Sequence, residues 1–278
     1  MHKTVKDIVE MKNKQKISVL TSYDYTLATL CDNAGIDVLL VGDSAGMVML
    51  GYENTIPVTM EQMSLFTSAV STARKNSLVV ADLPFMSYQT SITDAITNSG
   101  KLIKAGADAV KLEGGAEMSD TISSLVEIGI PVMGHIGLQP QTTMLTQGYK
   151  VQGRTKESAM KLIEDAKALE KVGVFCIVLE MVSHEVAKII TDLVGIPTIG
   201  IGSGLDCDGQ VLVIQDMLGM YEKINPKFVK KYLNLSQDIV NAVKNYKQDI
   251  ESKQFPGKSN MFSMDEAELS KLKKEIDG

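Results

Sequence analysis

Four short apolar runs in this chain each close on a carboxylate: Val38-Leu39-Leu40-Val41-Gly42-Asp43, Leu78-Val79-Val80-Ala81-Asp82, Ala109-Val110-Lys111-Leu112-Glu113 and Cys176-Ile177-Val178-Leu179-Glu180. Runs of this length and composition read as buried parallel strands. If the strands belong to one barrel, their ends gather on one face. Four acids brought together there repel unless a cation or an electrophilic substrate neutralises them. An Asp after a strand is also a common helix cap, which accounts for Asp43 or Asp82 taken alone. Glu113 and Glu180 resist that account, because glutamate caps poorly and a charge at the end of a buried strand needs a partner. Asp and Glu oxygens without cysteine or paired histidine spacing suit a hard cation such as Mg²⁺ rather than zinc. Held by two or three carboxylates, such an ion keeps positions open for water and a substrate oxygen, and serves as a Lewis acid.

Lys111 stands two residues before Glu113, so strand alternation places both side chains on one face, here the interior. A lysine there is costly unless it pairs with an acid or a substrate carboxylate; the alternative is a strand-end lysine that reaches solvent. His135, in Met133-Gly134-His135-Ile136-Gly137, is equally a substrate hydrogen-bond donor or a satisfied structural residue. His184 opens a predicted helix and reads as a surface cap residue. The glycines of Gly200-Ile201-Gly202-Ser203-Gly204 could cradle an anion or serve close packing. Met47-Val48-Met49-Leu50 reads as an apolar lid or loop core.

The elements that must position these residues follow from periodicity. Strands are predicted over residues 17–24, 36–43, 78–84, 109–113, 131–137, 175–181, 197–202 and 210–214. Helical patterns intervene at 25–34, 60–74, 92–105, 119–128, 155–172 and 183–194. Several helices stop at a glycine followed by a strand, as in Gly35-Ile36-Asp37-Val38 and Gly129-Ile130-Pro131-Val132, a left-handed cap turning into the next strand. Eight strands alternating with helices predict an α/β fold, a single TIM (β/α)8 barrel over about residues 17–248. The two long loops, 45–59 and 138–154, lie on the strand-exit face, where barrels do chemistry. A further helix is predicted at 227–247, and a charged tail at 249–278 carries a last short helix.

The composition bounds the rest. With 278 residues the chain can bury a substantial core, and its 22% charged residues and net charge of −6 disfavour nucleic acid as the main partner. Cys31, Cys176 and Cys207 lie far apart with no Cys-x-x-Cys spacing, which argues for reduced thiols. Residues 1–16 are charged and lack the apolar core of a signal peptide, and no run reaches the ~18 apolar residues of a membrane helix. A cytoplasmic protein is expected.

An ordered series of phrases resembles one family closely, ketopantoate hydroxymethyltransferase. They include Leu20-Thr21-Ser22-Tyr23-Asp24-Tyr25, Val41-Gly42-Asp43-Ser44, Ala81-Asp82-Leu83-Pro84-Phe85-Met86, Val110-Lys111-Leu112-Glu113-Gly114-Gly115, Gly134-His135-Ile136-Gly137-Leu138, Tyr149-Lys150-Val151-Gln152-Gly153-Arg154 and Asp208-Gly209-Gln210-Val211-Leu212-Val213. The series spans about residues 4–262. The resemblance implies a Mg²⁺-dependent enzyme that transfers a hydroxymethyl group from the co-substrate 5,10-methylenetetrahydrofolate to 3-methyl-2-oxobutanoate. The product would be 2-dehydropantoate, for pantothenate and coenzyme A biosynthesis. By position, Asp43, Asp82 and Glu113 match the metal-associated acids, and Asp43, Ser44, Asp82, Lys111 and His135 match the substrate contacts. Glu180 matches the catalytic proton acceptor. The family resemblance also implies a homodecamer. Gln147 and Ser203 stand where the family pattern has glycine and alanine, and Asn260 where it has histidine. A related barrel of the isocitrate lyase and phosphoenolpyruvate mutase kind would share the fold, but this chain lacks a Lys-Lys-Cys-Gly-His loop. A metal-binding barrel without turnover is a further alternative, against which the presence of Glu180 weighs.

Overall fold

In the computed structural model, eight strands pair in parallel in chain order and close into a barrel: β1 (Ile17–Thr21), β2 (Val38–Val41), β3 (Leu78–Asp82), β4 (Ala109–Lys111), β5 (Val132–Gly137), β6 (Cys176–Glu180), β7 (Thr198–Ile201) and β8 (Gly209–Leu212). The structure describes residues 2–143, 150–223 and 226–278. Gln147 and Tyr149 therefore lie outside the described residues.

Helices Tyr25–Asn33, Met60–Ala73, Ile92–Lys104, Ser119–Glu127, Lys156–Lys171 and His184–Leu193 follow β1 to β6. Their starts are written in the sequence. Asp24 accepts from the Leu27 N–H, and Thr59 and Thr155 form capping boxes with Gln62 and Ser158, satisfying first-turn donors that have no helical partner. β7 reaches β8 through residues 202–208 without a helix, so the helical ring is thinner on that side.

Strand alternation divides the core in two. Ile17, Val19, Val38, Leu40, Leu78, Val80, Ala109, Met133, Cys176, Val178, Ile199 and Val211 cluster inside the barrel, while intervening residues such as Leu39, Val79, Val110 and Ile177 pack against the helices. The helix Val5–Glu10 joins the interior cluster through Ile8 and Met11, and it closes the strand-entry mouth. Ile8 is fully buried there, worth roughly 1.5–3 kcal/mol.

The first compact unit ends at Tyr232, and residues 233–278 form a second one. The helix expected over 227–247 runs instead over Leu235–Glu251. Residues 227–232 are held by tertiary contacts that override helical periodicity: the Phe228 ring fills the space beside Gly202, and the Tyr232 N–H donates to the Met217 carbonyl. In the second unit Tyr246 and Phe255 make an edge-to-face ring pair, a helix Glu266–Ile276 follows, and Asn260 is exposed.

Candidate active site

Continuing the interior alternation toward the strand-exit end brings the polar residues into one layer. Above Leu78 and Val80 comes Asp82, above Ala109 comes Lys111, above Met133 comes His135, and above Cys176 and Val178 comes Glu180. Register makes neighbours of them: Asp82 is opposite Lys111 across β3 and β4, and Gly137 is opposite Glu180 across β5 and β6. Asp43 and Glu113 each stand two residues past the last strand residue, where the chain has begun to turn over the mouth.

The acids interlock. The Asp43 N–H donates to Asp82 Oδ2 at 3.1 Å, and Lys111 Nζ stands 3.0 Å from Asp82 Oδ1. Lys111 Nζ is also 3.4 Å from His135 Nδ1, which in turn is 3.8 Å from Glu113 Oε1. His135 Nε2 is 3.4 Å from Glu180 Oε2, and Glu180, with 15% of its side chain exposed, is the most accessible of these groups. Ser44 hydrogen-bonds the Tyr23 hydroxyl at 2.8 Å and lines the same cavity. Asp43, Asp82, Lys111, Glu113, His135 and Glu180 thus meet at one place, and Ser44, the seventh residue named from the sequence, lines the same cavity.

Charge there is unevenly compensated. Burial, with Asp82 next to it, pushes the Asp43 carboxyl up to about 7, and burial with Asp43 nearby raises Glu113 well above the usual carboxylate range. Burial alone would lower the Lys111 pKa, but the surrounding carboxylates, Asp82 foremost, outweigh it and hold the ammonium charged. Burial and the adjacent Lys111 charge keep His135 below its ordinary value, as a neutral imidazole near pH 7. One fixed cation faces several acids, and the excess negative charge with all-oxygen donors suits a hard divalent ion. Among the described residues no three His, Cys, Asp or Glu side chains converge tightly enough to chelate an ion alone.

Two residues essential to this arrangement escaped the sequence reading. Gln141, on the short helix Pro140–Thr143 after β5, donates through Nε2 to Asp43 Oδ2 at 2.8 Å and to the Leu83 carbonyl at 3.0 Å, and its N–H donates to Glu113 Oε2 at 3.1 Å. Tyr88, in the loop after β3, has its hydroxyl 2.8 Å from Gln141 Oε1 and accepts from the Glu113 N–H at 3.1 Å. Burial raises the pKa of the Tyr88 phenol, so it stays a neutral hydrogen-bonding group. Neither residue carries a strand-end signal; each lies in a connection between a strand and the next long helix, with partners far away in sequence.

The acid cluster forms the floor of a cavity of about 1180 Å³, with Met47, Val182, Leu205, Val213 and Phe228 among its apolar walls. The glycines after β7 serve packing: a Cβ at Gly202 would meet the Phe228 ring, and one at Gly204 would meet His184 Cβ. His184 is exposed beside Glu185, as its helix-opening position implied. Ser203, buried, donates to the Leu179 carbonyl at 2.7 Å and accepts from the Val182 N–H at 3.0 Å, bracketing Glu180 and Met181. Met181 adopts a left-handed backbone with φ of 47°. Its N–H donates to the Ile201 carbonyl and its carbonyl accepts from Gln152, while the Glu180 carbonyl accepts from Leu138. The chain is therefore pinned on both sides of the Glu180 side chain.

The sequence profile of ketopantoate hydroxymethyltransferase matches residues 2–258. The chain belongs to the ketopantoate hydroxymethyltransferase family. It is 73% identical over 277 residues to a 3-methyl-2-oxobutanoate hydroxymethyltransferase of Nitrosopumilus maritimus, covering 99% of both chains. It is 60% identical over 262 residues to the protein of that name in Cenarchaeum symbiosum, covering 94% of this chain and 99% of the relative. Among solved structures it is similar to 2,3-dimethylmalate lyase, a member of the PEP mutase/isocitrate lyase superfamily (TM-score 0.57, 16% identity, 100% and 98% of the two chains), and to a phosphonopyruvate hydrolase complex (TM-score 0.59, 10% identity, 99% and 97%). At those identities the likeness extends to the barrel alone, so the sequence separates this family from the lyase and mutase barrels that share its fold. Among the described residues no helix is long and apolar enough to cross a membrane.

Proposed function

We propose that this protein transfers a hydroxymethyl group from 5,10-methylenetetrahydrofolate to 3-methyl-2-oxobutanoate, giving 2-dehydropantoate. The observation that carries the reading is the pairing, on one cavity floor, of a charged Lys111 between buried acids with a partly exposed carboxylate, Glu180, reached through His135. The reaction needs both parts: a cationic seat for a 2-oxo acid, and a base for the proton on the carbon beside its ketone.

Asp43, Asp82 and Glu113 would hold magnesium, which when bound supplies Lewis-acid stabilisation of negative charge developing on the ketone oxygen. Lys111 and Ser44 orient the 2-oxo acid above that floor. Glu180 takes the C3 proton, leaving the electron pair to form the enolate; its C3 bonds to the methylene carbon as that carbon gives up its bonds to the folate nitrogens, water supplies the hydroxyl oxygen, and tetrahydrofolate leaves. His135, kept neutral by burial and by Lys111, stands with Nε2 3.4 Å from the Glu180 carboxyl. The cavity is far larger than a five-carbon acid requires, and its apolar walls suit the folate carrier. The same family reading carries an assembly of ten subunits, which sedimentation equilibrium would report as ten times the monomer mass.

Supplying 3-methyl-2-oxobutanoate, methylenetetrahydrofolate and Mg²⁺ and following 2-dehydropantoate tests the reading. Product formation supports it, and folded protein that yields none overturns it.

A further inference from the structure

Gln141 makes three polar contacts with the floor of the cavity, although it comes from a loop rather than from a strand. Its side-chain amide has only one consistent orientation. Nε2 faces Asp43 Oδ2 and the Leu83 carbonyl, both acceptors, so the donor end must point there and Oε1 must face the Tyr88 hydroxyl. The backbone N–H of the same residue takes Glu113 Oε2. One residue thus holds one oxygen of each of two acids, and Glu113 Oε1 is turned toward His135 Nδ1. Gln141 is 1% exposed and Tyr88 is 1% exposed, so water does not substitute for these bonds.

We infer that Gln141, oriented by Tyr88, is the positioning residue that sets the Asp43 and Glu113 carboxylates for the divalent ion. The inference rests on the metal-binding reading given above. Its physical basis is the role of outer hydrogen bonds at metal sites: a carboxylate fixed through one oxygen presents the other in a defined direction, and one left to rotate loses order that the ion must then restore. Asp43 has no strand backbone to hold it, standing past the end of β2, so side-chain bonds set its direction. Asp82 differs, being the last residue of β3 and paired with Lys111.

The test measures Mn²⁺ affinity, by calorimetry or by the loss of free-ion electron paramagnetic resonance signal, on the parent, on Gln141→Met and on Tyr88→Phe, with folding checked by circular dichroism. Methionine keeps the stem and removes the amide; phenylalanine keeps the ring and releases the amide to rotate. The expected results are a Kd weakened about 10–100-fold in Gln141→Met and a smaller weakening in Tyr88→Phe. C3 proton exchange of 3-methyl-2-oxobutanoate at saturating Mn²⁺ should then recover more fully than exchange at limiting Mn²⁺. A purely structural residue would lower thermal stability and leave the affinity of the folded fraction untouched. Parent-like affinity in folded Gln141→Met overturns the inference. If that variant does not fold, parent-like affinity in Tyr88→Phe overturns it instead. Failure of the parent itself to bind Mn²⁺ is the separate outcome that removes the metal-binding reading and this inference with it.

Discussion

Replacing Lys111 by methionine removes the buried ammonium paired with Asp82 on the acid floor while keeping an aliphatic stem of similar length. At 3.0 Å from Asp82 Oδ1, the unit charges attract by about 5–6 kcal/mol at an effective dielectric of about 20. Desolvating the ammonium takes back several kcal/mol, and breaking one side of such a buried pair costs about 3–5 kcal/mol net, because the acids are left uncompensated. Both Lys111 and Asp82 are almost wholly inaccessible, so solvent screening does not reduce this figure to that of a surface pair. The loss must also depend on pH. Protons taken up by Asp43 and Glu113, whose carboxyls are already pushed upward, relieve the variant at lower pH. Urea denaturation of metal-free parent and Lys111→Met at pH 8 and pH 6, followed by far-ultraviolet circular dichroism, measures both effects. The expected result is a loss of about 3–5 kcal/mol at pH 8, visibly smaller at pH 6, with Mg²⁺ restoring more stability to the variant than to the parent. A loss below about 1 kcal/mol, the range of exposed pairs, or an equal loss at both pH values, would refute the reasoning.

Other outcomes follow from the same geometry. The folded state holds the Asp43 proton up to about pH 7, whereas the unfolded chain releases it near 3.9, so this group makes metal-free stability fall as pH rises between those values. His135, shifted downward, opposes that slope below its ordinary value of about 6.5; comparison with Asp43→Asn isolates the aspartate, and the variant should gain on the parent by a few kcal/mol from pH 4 to 7. Met181→Val, which forces a β-branched residue into the left-handed region, should lose about 1–2 kcal/mol and slow C3 exchange, while Met181→Asn should retain both in thermal denaturation and exchange assays. Ser203→Ala leaves the Val182 N–H without its partner and should cost about 1–3 kcal/mol by chemical denaturation.

Much of this was legible because a parallel barrel writes its chemistry at strand ends. Apolar runs in β3 and β6 close on Asp82 and Glu180, and the two-residue step from Lys111 to Glu113 put both on the interior face, as the structure has them. His135, left open between two roles, stands between Lys111, 3.4 Å from its Nδ1, and Glu180, 3.4 Å from its Nε2. Gln141 and Tyr88 were illegible because an amide and a phenol in loops acquire meaning only when those loops fold over the mouth. The segment after Pro226 misled for the same reason: its helical spacing is real, but Phe228 is drawn to the space that Gly202 leaves. The glycines after β7, read as either an anion cradle or a packing device, lie close against Phe228 at Gly202 and against His184 at Gly204.

The central claim is that Glu180 removes the C3 proton of a 2-oxo acid seated on the Asp43, Asp82, Glu113 and Lys111 floor. Its most direct measurement is exchange of that proton into D₂O, followed by nuclear magnetic resonance with Mg²⁺ and without folate, in the parent and in Glu180→Gln. The account predicts exchange slowed by roughly 10²–10⁴-fold, with Mg²⁺ affinity close to the parent's. Exchange at the parent rate in folded Glu180→Gln would contradict it.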